Sequence, residues 1–323
     1  MPTPWRSFCR CTTALLLTAS ISLGAMVTSD GTLLPDRAID RTRLVPSGSP
    51  ESNGATVTAD GTALPDSDSA VAEDDSFGKQ IILKSQPRLR EFTLSADASL
   101  FYTSNVALTS RDALADSFFV ANIGGSWNHA LSRTLQLQVG AHASLFRYND
   151  TPALDFDSVG GGIGLTWTPR NPWGIAMFAR YDLTQLLDRD GHDLLMDHEF
   201  SIGAQKIVVL GRSHALNFSL GGSAGVTDPF ASQRDLLGGG VGYHVQLSRR
   251  FEMDLGYRWA VFFYNQGSRT DFNQLASLSA GYHVTPWATL SAFLSYGDNR
   301  SNRSVFDYTV FAGGGGLGFT VRF

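Results

Sequence analysis

The side chains that could carry chemistry are seven histidines, scattered carboxylates and a set of arginines, and their spacing decides what they can do. Hydrolysis by a serine–histidine pair needs both groups on neighbouring elements, with a third group orienting the base. His142, His244 and His283 alternate with apolar neighbours, so they fall on the polar face of their segments. His198 and His214 fall on the apolar face, where no serine stands opposite them, and His129 and His192 lie in connections. No histidine, cysteine or carboxylate cluster has metal-ligand spacing. The triple glycines at Gly160, Gly238 and Gly314 are followed by strand-like residues, whereas a phosphate loop needs a helix and a lysine. Cys9 and Cys11 precede an apolar run near the amino terminus, which leaves no thiol chemistry for a processed chain. The expectation is therefore a protein that is not an enzyme and needs no cofactor or metal.

What the charged residues can do instead is line a passage. By alternation Arg147, Arg180, Asp182, Glu199 and Arg258 point to one interior at a similar height, a constriction of mixed charge. Glu252, Asp254, His244 and His283 lie lower, in a more acidic inner half. Six aspartates, Asp116, Asp157, Asp197, Asp235, Asp271 and Asp307, recur 36 to 41 residues apart, each near the start of an apolar-alternating segment at one mouth.

The elements that must hold these groups are strands. From Phe92, Leu94, Ala96, Ala98, Leu100 and Tyr102 onwards, apolar residues occupy every second position, the period of a strand with one greasy face. Twelve such segments follow Glu91, each expected to be about ten residues or a little longer, with Val159–Trp167, Trp173–Tyr181 and Phe200–Val208 among them. Tight turns such as Asn128–Arg133 and Thr285–Pro286 alternate with longer polar connections such as Asn105–Ala115 and Leu183–Met196. Even strand number, strands of this length and alternating loop lengths mark an all-β, up-and-down antiparallel barrel that crosses a membrane. Aromatics gather at strand ends in two belts, Trp127, Trp167, Trp173, Phe251, Tyr282 and Phe323 at one level, and Tyr102, Tyr181, Trp259, Phe263, Tyr296 and Phe311 at the other. The segments G-G-G-I-G-L-T-W, G-G-G-V-G-Y-H-V and G-G-G-L-G-F-T-V repeat one core, with glycine expected where a strand bends or a neighbouring ring comes close.

The last segment, F-D-Y-T-V-F-A-G-G-G-G-L-G-F-T-V-R-F, ends an apolar alternation on Phe319, Val321 and Phe323. It resembles the terminal strand that the barrel-assembly machinery reads in bacterial outer-membrane barrels. With the stretch S-Y-G-D-N-R-S-N-R-S-V-F-D-Y before it, the segment Val159–Phe323, and more loosely the chain from Glu91, resembles the β-barrel porins of Gram-negative bacteria. That resemblance implies an outer-membrane location, lipid as surroundings, and a passive or export-associated channel.

The rest of the chain reads differently. Arg6 and Arg10 precede Thr12–Val27, an apolar run too short to span a bilayer, so residues 1–25 are expected to be a signal peptide. Residues 26–90 are rich in Ser, Thr, Asp, Gly and Pro and contain V-T-S-D-G-T-L-L-P-D and V-T-A-D-G-T-A-L-P-D. Such a composition cannot bury enough surface to offset chain entropy, and a disordered periplasmic tether is expected, or a peptide motif shown twice to an unknown partner. With 25 basic and 30 acidic residues the chain has no charge excess for nucleic acid. Two functions fit: a narrow porin-like channel for small polar or saccharide solutes, and a structural or adhesive surface barrel with a plugged lumen.

Overall fold

The computed structural model describes Arg41, residues 91–169 and residues 173–323. The expected signal peptide and, Arg41 apart, the expected periplasmic segment lie outside the described residues. The remainder forms twelve strands: β1 (Phe92–Thr103), β2 (Asp116–Ala130), β3 (Leu135–Tyr148), β4 (Phe156–Trp167), β5 (Ile175–Asp188), β6 (Asp193–Gly211), β7 (His214–Asp228), β8 (Arg234–Ser248), β9 (Phe251–Tyr264), β10 (Thr270–Thr285), β11 (Ala288–Ser301) and β12 (Tyr308–Arg322). Each is antiparallel to its sequence neighbours, and β12 returns to pair with β1, closing the barrel. Closure matters physically, because a strand edge facing hydrocarbon would leave backbone groups without partners.

Alternation fixes the two faces. Along β1, Ser95, Asp97, Ser99, Phe101 and Thr103 point inward while Leu94, Leu100 and Tyr102 are exposed on the outer surface. The same division carries Ile123, Ile163, Ile202, Leu220, Leu255, Leu290 and Leu317 outward on other strands. These residues would be a liability in water and are at home against lipid. Around the turn end, Trp127 and Phe323 both stack with Phe92, and Trp287 stacks with Phe319 at a centroid separation of 5.9 Å.

The strands are longer than the sequence suggests. β6 has 19 residues, and β5 and β6 run on to a hairpin at Arg189–His192 where a loop over Leu183–Met196 is expected. The reason lies on the inner face: Leu186 and Leu195 are fully buried there and extend the wall beyond the bilayer-facing zone. Surrounding Asp and Gln residues give that stretch the composition of a loop.

The barrel has its core at the end carrying the longer connections, the loop end. Phe101, Phe118, Phe146, Tyr148, Phe156, Leu186 and Leu195 pack together there across β1 to β6, with Phe146 and Phe156 stacked at 4.4 Å. The connection Ser104–Ala115, expected as one of the longer polar loops over Asn105–Ala115, folds inward. Its Val106 joins this cluster, and its Leu108 is buried against Leu275, Tyr308 and Val310 on the opposite wall. Asn105 pins the connection, its amide donating to the carbonyls of Thr109 and Thr309 at 2.9 and 3.1 Å. Val106 and Leu108 form a short apolar pair around Ala107 in a mostly polar connection, too short a pattern to mark a buried element, which is why their destination is hidden in the sequence.

Candidate functional site

The lumen is the candidate site, and its wall is set by the inward residue of each strand. On β5, Arg180 and Asp182 are two positions apart on one face, and the arginine Nε donates to both carboxylate oxygens at 2.7 Å. Asp182 lies opposite Glu199 of β6 in the ladder, so these three expected constriction residues are brought together. Room for the pair comes from β4, where Gly162 stands opposite Asp182. A Cβ on Gly162 would collide with the Asp182 carboxylate and lie 3.0 Å from the Arg180 guanidinium. Gly160 in the same triple serves His142, whose Cε1 would be 2.7 Å from a Cβ there. In this copy of the repeat the glycines are thus a floor for large inward side chains, as Gly314 is for Phe101 of β1, whereas at Gly238 the close neighbours are the Trp259 carbonyl and Ala260.

Arg258 also points inward, from β9, between Gly240 of β8 and Leu275 of β10. Arg147 does not. It shares its parity with Leu145, on the outer surface of β3, and its Nη1 lies 2.7 Å from Asp157 of β4. The expected inward placement is corrected by the alternation itself, since the inward positions of β3 are His142, Ser144, Phe146 and Tyr148. Arg147 is instead half of a rim ion pair outside the lumen.

Nearer the turn end, His244 of β8 and Asp254 of β9 face each other with Nδ1 and Oδ1 2.8 Å apart. His283 of β10 stands 3.4 Å from Glu252 and contacts the Thr289 hydroxyl of β11 at 2.9 Å. The four expected inner-lumen residues therefore form two pairs along β8 to β10. Asp254 keeps 53% of its side chain exposed and His244 40%, so this region is open to solvent, in contrast to the packed loop end.

The six aspartates all lie at the loop end but do different things. Asp116 is buried and accepts hydrogen bonds from the backbone N–H groups of Asp150 and Thr151 and from the Thr151 hydroxyl, ordering the β3–β4 connection. Asp197 points inward and accepts from the Thr227 hydroxyl at 3.0 Å. Asp271 is buried under Arg269, whose Nε lies 3.0 Å from both of its oxygens. Asp157 and Asp235 point outward, Asp235 opposite Phe263, and Asp307 caps the turn before β12 by accepting from the Ser301 N–H at 2.7 Å. A common level does not make a common face, because the inward positions are even-numbered on β2, β4 and β8 and odd-numbered on β6 and β10, so a near-constant spacing lands on alternate faces.

Several lumen residues escape the sequence reading. Asp97 faces inward on β1 and accepts from Asn122 at 2.8 Å; strict alternation from Phe92 would have found it. Arg234 sits over the ring of Phe262 at 4.3 Å and donates to the Tyr264 hydroxyl at 2.7 Å. It shares a recess with Asp197, Glu199, Ser223 and Thr227 above Gly225. Asp188, Asp190 and His192 come within 4.8 Å of one another at the β5–β6 turn, a grouping the sequence reading does not see. The Asp188 carboxylate there already accepts the N–H groups of Asp190 and His192, as in an ordinary turn. Of the outward histidines, His198 meets the Tyr181 hydroxyl at 2.7 Å and His214 the Tyr243 hydroxyl at 2.6 Å.

Comparison with known proteins places this geometry. No protein-family model matches the chain, and no curated protein sequence does. Among solved structures, the COG4313 outer membrane channel from Pseudomonas putida F1 aligns with a TM-score of 0.51 at 12% identity, over 73% of this chain and 99% of that one. LpxR from Salmonella typhimurium gives 0.41 at 9% identity, over 70% and 99% of the two chains. The NanC porin gives 0.40 at 9%, over 69% and 98%. The first likeness bears on the fold; the other two are too loose to carry an argument.

Proposed function

We propose, starting from a closed twelve-strand barrel of the outer-membrane type, that the chain is a narrow porin-like channel for small polar solutes, saccharides among them, seen here with its loop end closed. The observation that carries this reading is the contrast between the two halves of the lumen. From the turn end up to the Arg180–Asp182 pair the wall is polar, charged and partly exposed. Above it lie buried rings and the inward connection Ser104–Ala115. A barrel built only as a scaffold gains nothing from half-exposed charged pairs, each worth roughly 0–1 kcal/mol in a wet setting. The barrel would sit in the outer membrane with the loop end outside, by the usual asymmetry of loop lengths. Catalysis is not part of the proposal, since His198 and His214 meet tyrosines rather than serines.

A second reading, a structural or adhesive barrel with a permanently filled lumen, is favoured by the packing of Phe101, Phe118, Phe146 and Tyr148. Liposome swelling separates the two. Proteoliposomes of the full chain should swell with monosaccharides and less with larger sugars. In planar bilayers, Arg180→Ala with Arg258→Ala should shift the reversal potential towards cations. Absence of swelling with every sugar, together with no conductance, would leave the filled-barrel reading.

A further inference from the structure

Two histidines stand beside two carboxylates on the inner face of β8 to β10. His244 is directly opposite Asp254 in the β8–β9 ladder, with Nδ1 and Oδ1 2.8 Å apart. His283 of β10 has one ring nitrogen 3.4 Å from Glu252 and the other 2.9 Å from the Thr289 hydroxyl of β11. From Thr289 the same ladder row runs through Gly318 of β12 to Asp97 of β1, which faces inward. We propose that this arc is a cation-selecting filter of the lumen, with His244 and His283 as the groups that set its charge. The inference rests on the channel reading and names the solutes that the passage favours at neutral pH, small cations.

The wall is shaped to leave these groups open to the lumen. Gly242 and Gly256 face each other next to the His244–Asp254 pair, so no side chain from either position covers it. Gly281 lies opposite Glu252, where a Cβ would come within 3.2 Å of the carboxylate and 3.6 Å of Thr289. The missing side chain lets Glu252 reach across β10 to His283. All four titrating side chains keep about a third or more of their surface exposed. Pairs this wet add little to folding, and their effect is on the field inside a narrow passage with low-dielectric walls.

The surrounding groups fix the sign of that field. Arg258 is four positions above Asp254 on the same face of β9, and Arg322 ends β12 opposite Thr93 of β1. Arg250 lies in the turn before β9, its carbonyl accepting the His283 N–H at 2.7 Å. On the far side of His244, β7 offers only Ala215 and Asn217, and β11 offers Thr289 and Ser291 beside His283 and Gly281. The rest of the wall turns Gln138 of β3 and Gln205 of β6 inward towards the turn end. Asp97, Glu252 and Asp254 are, among the described residues, the acidic groups of this half. Histidine changes its charge between about pH 5 and 8, where carboxylates stay ionised. With neutral imidazoles three carboxylates act on the passage; with both imidazoles protonated, Glu252 and Asp254 each have a cation in contact. The arc therefore draws cations at neutral pH and loses that preference in acid.

The test is the reversal potential of the full chain in planar bilayers under a potassium chloride gradient, at about pH 8 and about pH 5. Folding of each variant is checked by its gel migration with and without heating. The parent should prefer potassium over chloride at least several-fold at the higher pH and lose most of that preference, reversibly, at the lower. His244→Gln with His283→Gln should keep the preference at both. His142→Gln, at a luminal histidine flanked by Gly124 and Gly160, should follow the parent. Glu252→Gln with Asp254→Asn should reduce the preference at the higher pH. A parent reversal potential that does not change with pH, or a double-histidine variant that shifts as far as the parent, would overturn the filter and leave the channel standing. No current from the parent at either pH would contradict the channel reading itself, and the filter with it.

Discussion

Phe92 and Phe323, the first strand residue and the last residue of the chain, exchange both backbone hydrogen bonds at 3.0 Å and stack their rings at 5.8 Å with planes 14° apart. The barrel is thus closed by its two ends meeting, ring on ring, at the turn end. Trp127 of β2 continues the stack on Phe92 at 6.3 Å. The carboxy-terminal aromatic is a structural part of the seam, besides resembling an assembly signal.

Phe323→Ala should therefore lower the yield of folded barrel in membranes and weaken the seam by about 0.5–1.5 kcal/mol, the worth of an aromatic pair beyond its buried area. Heat-modifiable gel migration reads both effects. Phe8→Ala, in the expected signal peptide, should leave the finished barrel unchanged. A Phe323-deleted protein that assembles at the parent level would contradict the role given to this residue.

Arg269 lies between the rings of Tyr264 and Phe306, 4.0 and 3.5 Å from their centres, and is paired to a fully buried Asp271. Removing the arginine alone leaves a buried carboxylate with Asn299 nearby at 3.3 Å. Arg269→Met should cost about 3–5 kcal/mol, whereas Arg269→Met with Asp271→Asn should cost clearly less, because the pair repays little of its own desolvation. Denaturant unfolding of the two variants in detergent measures the difference. Equal losses would mean that stacking rather than charge holds the site.

Glu91, just before β1, accepts from the Trp127 indole at 2.9 Å and meets His129 Nδ1 at 3.1 Å. The indole hydrogen bond, then the His129 hydrogen bond, hold its carboxyl below the ordinary value of 4.5. A carboxyl lowered by folding adds stability above its unfolded value and loses it as pH falls through the folded one. Unfolding measured from neutral to acid pH should show a stability decline below about pH 4.5 that Glu91→Gln flattens. An identical acid limb in the variant would show that Glu91 is not coupled to folding.

Much of this fold can be read from residues. Alternation from Phe92 to Tyr102, the alternating connection lengths and the terminal Phe319–Phe323 pattern together specify a closed membrane barrel, because each strand must show lipid one face and the lumen the other. Arg180, Asp182 and Glu199 follow from the same period. Arg147 is misplaced where that period is not carried through, and Asp97 is overlooked for the same reason. Val106 and Leu108 are illegible for a different cause. An inward connection obeys no period, and its burial depends on the wall it meets, from Phe118 to Tyr308, which comes together only in three dimensions.

The central claim is a polar channel closed at its loop end by Ser104–Ala115, and single-channel recording on the full chain tests it most directly. The parent should give small or intermittent conductance in planar bilayers. Replacing residues 105–113 by a short Gly–Ser turn removes the buried Val106 and Leu108 side chains, and should raise conductance at least several-fold while the barrel stays folded. A folded loop variant as silent as the parent would contradict the channel.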